Sequence, residues 1–76
     1  MIDVEKWTWI VDRKEKTCRN EENNVTVKIN TENGIIKGKL DDMPIELLGK
    51  IAEFEDGEKT IIKIVKTAEE EYSKQR

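Results

Sequence analysis

Cys18 is the one thiol in this chain, Ser73 is its one serine, and histidine is absent. With no imidazole there is no side chain whose ordinary pKa makes it a base near neutral pH. A Ser/His or Cys/His pair therefore cannot be built within one chain. A Cys/His zinc site, which takes four such ligands, is excluded on the same ground. Cys18 lies near Lys16 and Arg19 in sequence, and cations beside a thiol lower its pKa; the preferred reading is still a small strand residue with no chemical role. The acidic stretch Glu53, Glu55, Asp56 and Glu58 offers carboxylate oxygens to a hard cation, but it lacks the ligand spacing of an EF-hand loop. A solvated helix junction is preferred. Gly34, Gly38, Gly49 and Gly57 fit neither the phosphate-binding loop nor the dinucleotide pattern. No cofactor, no metal and no catalytic residue is expected, and the chain reads as non-enzymatic.

Two constellations remain as a candidate interaction surface. Lys28, Lys37 and Lys39 fall on one face of a hairpin, extended by Arg13, Lys14 and Arg19, and make a cationic sheet surface. Proteins that read single strands on a sheet stack bases on aromatics displayed there, and this face offers only Ile35. A solvated lysine row protecting a sheet edge is the simpler reading. Trp7 and Trp9 form the second constellation. Tryptophan is enriched at interfaces, yet in a chain short of large apolar residues at least one of the pair is expected in the core.

Seventy-six residues make a single small domain over 1–76. Such a chain buries only roughly 60–65% of its unfolded surface, too little for a deep substrate cavity beside a core. Charged residues make up 41% of the chain, but the net charge is −3, so the two signs are interspersed. Residues 1–40 carry eight Lys/Arg and seven Asp/Glu, while residues 41–76 carry six and ten. An acidic second half argues against a nucleic-acid footprint over the whole surface, and nucleic acid is not an expected partner. One cysteine fits a reducing compartment, so Asn24-Val25-Thr26 is a chance match to a glycosylation acceptor. The longest apolar run, Trp9-Ile10-Val11, suits neither a signal-peptide core nor a membrane span. A cytoplasmic location follows as an expectation, with no membrane partner.

The elements that would position these residues are legible. Residues 7–40 read as an antiparallel β-meander of three or four strands, the first over 7–12 with Trp7, Trp9 and Val11 alternating. Val25 to Asn30 alternates cleanly, and Asn33-Gly34 is the preferred pair for a two-residue hairpin turn. A loop at Asn33-Gly34 sets Ile29 opposite Gly38 and Val27 opposite Leu40; a longer loop over 31–34 sets Ile29 opposite Ile36. Both place Val25, Val27, Ile29, Ile36 and Leu40 on one face. Asp42-Met43-Pro44 reads as the start of a helix over about 43–55, with Asp42 as its cap. A second helix is expected over about 57–74, with Lys74 and Arg76 suiting its end.

Leu47, Ile51, Phe54, Glu58, Ile61, Val65, Ala68 and Tyr72 advance in alternating steps of four and three, an a/d series across the junction. One continuous helix of this length would need a partner such as a second copy. Asp56-Gly57 favours a break, with Asp56 capping the second helix or Gly57 ending the first. The fold class is α+β, with both helices packed on one sheet face. The expected core is Val25, Val27, Ile29, Ile36, Leu40, Leu48, Ile51, Phe54, Ile61, Val65, Ala68 and one tryptophan. The expected function is a protein–protein interaction or accessory module, with an unknown protein partner and a weak homodimer through the C-terminal helices as a further option. An anion- or RNA-binding domain using the lysine face of the 25–40 hairpin is the alternative.

Overall fold

The computed structural model describes residues 2–74. After a single 3-10 turn at Val4–Lys6, four strands follow in order: β1 (Ile10–Asp12), β2 (Thr17–Asn20), β3 (Val25–Glu32) and β4 (Ile35–Asp42). Each pairs antiparallel with the next, so the sheet order is β1-β2-β3-β4. Helices α1 (Ile45–Phe54) and α2 (Gly57–Lys74) complete the α+β fold. Arg76, expected near the end of α2, lies outside the described residues.

The β3–β4 hairpin takes the tighter of the two anticipated registers, with Ile29 opposite Gly38 and Val27 opposite Leu40. Asn33 (φ 52°) and Gly34 (φ 78°) both take left-handed backbone, the requirement of the turn that matches strand twist. Strand β4 runs two residues further than the alternation suggested. A register shift beside Thr26/Val27 brings Thr26 opposite Asp42. Asp42 is therefore a strand residue and not a helix cap; Pro44 precedes α1, with no side-chain cap bond.

The first strand is shorter than the 7–12 run implied. Trp7 and Trp9 lie in irregular chain between the 3-10 turn and β1. Asn20, fully buried, holds that segment: its Nδ2 donates to the Thr8 carbonyl at 2.9 Å. The N–H and Nδ2 of Asn23 donate in turn to Asn20 Oδ1 at 2.8 and 2.9 Å. A buried amide satisfied on both ends in this way fixes two loops at once.

The two helices are separate, broken at Glu55-Asp56. Asp56 caps α2, its Oδ1 accepting the Lys59 N–H at 3.3 Å. Gly57 does not end the first helix: it is the first residue of the second, and its φ is not positive. α2 lies against β4, β2 and β3, and α1 packs against α2. Val4, Trp9, Cys18, Val25, Val27, Ile29, Ile51, Ile64, Ala68 and Tyr72 form the core. Leu48 and Phe54 were expected inside and are exposed, Ile61 is half-buried, and Ile64 carries the burial in its place. The a/d series would also have suited one continuous seam; the two-residue break, which Asp56-Gly57 favours, lets each helix rotate to its own neighbours.

Candidate interaction surfaces

The meander presents one face to α2 and leaves the other to solvent. On the outer face a single row crosses the sheet through Asp12, Thr17, Lys28 and Lys39, each the direct partner of the next. Lys37 stands two residues from Lys39 on the same face, opposite Asn30. These three lysines, with Lys16, Asn30 and Glu15, line a groove of about 460 Å³. Among the described residues, none of the four lysines forms an ion pair.

The expected extension of this face by other cations is only partly realised. Arg19 is on it, tied to Thr26 Oγ1 at 3.0 Å and Asn24 Oδ1 at 3.2 Å. Arg13 is not. It reaches the end of α2, where its guanidinium lies 4.0 Å from the Tyr72 ring centroid and donates to the Tyr72 carbonyl. Stacking of this kind suits the planar guanidinium. Lys16, which the sequence pattern did not single out for this face, is brought in by the β1–β2 turn.

That turn has a twin. In both, an Asx residue precedes four loop residues: Asp12 Oδ1 accepts the N–H groups of Lys14 and Glu15, and Asn20 Oδ1 accepts that of Asn23. In both, the fourth loop residue is left-handed, Lys16 at φ 57° and Asn24 at φ 54°. Asparagine tolerates that backbone; lysine does so less readily. The eight-residue offset between the two turns is a signal the sequence did contain.

Trp9 is 6% exposed and Trp7 half-buried, their ring centroids 5.8 Å apart and tilted by 46°. The pair therefore anchors the N-terminal segment to the core, with Trp7 packed against it at partial burial. Cys18 is buried, its thiol donating to the Ala68 carbonyl at 3.3 Å. Burial pushes the thiol up from 9.0 to about 11, outweighing the opposing pull of the Arg13 charge. Neither Lys16 nor Arg19 is the cation that acts on it. Such a thiol is unreactive near neutral pH. Among the described residues, no group of three or more Cys, Asp or Glu side chains is placed to hold a metal ion. No helix among them is long and apolar enough to cross a membrane.

A second surface was not anticipated. α1 buries only Ile51 fully, and its Ile45 is 86% exposed, Phe54 69% and Leu48 44%. Ile45, Leu48 and Ala52 are spaced by three and seven residues, which puts them on one side of the helix. The sequence from 41 to 58 around this face carries seven carboxylates and one lysine, a net of −6. No protein family, curated protein or solved structure matches the chain.

Proposed function

We propose that this domain is a non-enzymatic protein-interaction module, and that its docking surface is the exposed apolar side of α1. The observation that carries the reading is Ile45 and Leu48, with Ala52, standing in solvent on one side of a helix whose burial rests on Ile51. Exposed apolar groups gathered on one element mark interaction sites more often than isolated ones do. The acidic rim chooses the occupant. A second copy of this chain would set −6 against −6, whereas an amphipathic segment with lysines or arginines flanking its apolar side matches both the apolar side and the rim. The partner is thus an apolar, basic helical segment of another protein.

A helical peptide of leucine and lysine, titrated while amide NMR signals are followed, tests this. Shifts should concentrate on Ile45–Phe54, persist at raised salt, and weaken with Ile45→Ser and Leu48→Ser, which remove apolar surface and leave the charge. A leucine/glutamate peptide should leave these signals in place. Binding unaffected by the serine variants would overturn the reading. So would sedimentation showing a tight dimer at micromolar concentration, because a second copy would then occupy the face.

A further inference from the structure

The groove on the outer face of the sheet, remote in kind from the apolar side of α1, carries two features the fold does not require. Lys28 and Lys39 are direct cross-strand partners, and like charges so placed repel. Lys16 adds a third ammonium from a left-handed position whose twin in the next turn is filled by Asn24. Edge protection accounts for Lys37 and Lys39 on β4. It does not account for Lys28 in the interior strand β3, nor for a lysine at a backbone position where asparagine sits more easily.

From this placement we infer that the groove lined by Lys16, Lys28, Lys37 and Lys39 binds a compact anion carrying two or more phosphate groups. A volume of about 460 Å³ falls in the range of roughly 300–1,000 Å³ typical of small-ligand sites. Lysine is a point-charge partner for phosphate, with three donors each, and a bound polyphosphate relieves the Lys28–Lys39 repulsion. Asn30 contributes a neutral amide donor, and Glu15 at the rim disfavours anions that overfill the groove. An extended nucleic-acid strand is the poorer match. The face holds no aromatic on which bases could stack: Trp9 and Tyr72 are buried, Trp7 lies outside the strands and packs against the core, and Phe54 belongs to α1.

Titration with inorganic tripolyphosphate at low salt, read by amide NMR, tests the site. Shifts should map to Lys16, Lys28, Asn30, Lys37 and Lys39. Affinity should fall about fivefold for Lys28→Gln and again for Lys39→Gln, and should fall as salt rises. Lys63→Gln, which removes a cation paired with Glu5 at 3.1 Å elsewhere on the surface, should bind as the parent does. Lys16→Asn should weaken binding while raising the urea midpoint, so that loss of the ligand is separated from loss of the fold. Absence of shifts at low salt would overturn the inference. Equal weakening by Lys63→Gln would do so too, as would saturation by a thymidine oligonucleotide that tripolyphosphate does not reproduce.

Discussion

The two helices carry equal numbers of apolar residues and differ in what the fold does with them. α1 has six among its ten residues, and α2 six among eighteen. In α2 the spacing gathers Ile64, Ala68 and Tyr72 onto one stripe, all buried against the sheet. In α1 the apolar residues exceed what one stripe can hold. Ile51 turns inward, Leu47 packs at the margin, and Ile45, Leu48 and Phe54 remain outside. Amphipathic spacing guarantees that a helix has a face to bury; the number of neighbours decides how much of its apolar surface is covered. α2 touches three strands, and α1 has chiefly α2.

Truncation should separate the two most sharply. Ile64→Ala should cost about 3 kcal/mol, since Ile64 is fully buried and a cavity is left behind. That is a large share of the roughly 4 to 11 kcal/mol expected for a chain of this size. Phe54→Ala, although a larger truncation, should stay within about 0.5–1 kcal/mol in urea melts. Comparable losses at the two positions would break the contrast.

The seat of α2 on the sheet also has a pH signature. Cys18 donates to the Ala68 carbonyl of α2, and its thiol is pushed from 9.0 up to about 11. A raised folded-state pKa means the unfolded chain releases its proton first as pH rises. This contribution is therefore complete below pH 9 and is lost between 9 and about 11, up to about 2 kcal/mol. Cys18→Ala has no such proton to lose. The stability difference between parent and variant should move against the parent across that window, and a constant difference would show that the thiol is not held as described.

Two glycines give the finest test. A Cβ at Gly38 would lie 3.0 Å from side-chain atoms of Glu69, Val27 and Val65, because α2 approaches β4 that closely there. The Gly38 N–H also donates to the Glu69 carboxylate, at the otherwise open edge of the sheet. Gly38→Ala should cost about 1–2 kcal/mol through displacement of α2. Gly49, on α1, has nothing within 4 Å of such a Cβ. Gly49→Ala should instead stabilise by about 0.5–1 kcal/mol, the ordinary helix preference for alanine. A loss at Gly49 would mean that α1 has a covered side which the monomer does not show.

Much of the architecture was legible because it rests on local chemistry. Asn33-Gly34 specifies its turn by tolerating left-handed backbone at both positions, and that turn sets the hairpin register as far as the shift beside Thr26/Val27. Asp56 caps the second helix for an equally local reason. The lysines of the outer face followed from strand parity once the turn was placed. Lys16 did not, because its side-chain position depends on a left-handed residue in a four-residue turn that strand alternation does not describe.

The sequence by itself determined the α+β order, the residues of the β3–β4 hairpin that share a face, and the span of α2. Periodicity, turn chemistry and capping act over a few residues and need no distant neighbour. Only the tertiary structure decided which apolar residues are covered: Val4, Cys18 and Tyr72 inside, Leu48 and Phe54 outside. It alone made Asn20 the fully buried amide joining the Thr8 carbonyl to the β2–β3 turn. Burial is settled by how much neighbouring surface reaches a side chain across the fold, and for a short helix at the margin of a small sheet that surface runs out before the apolar residues do.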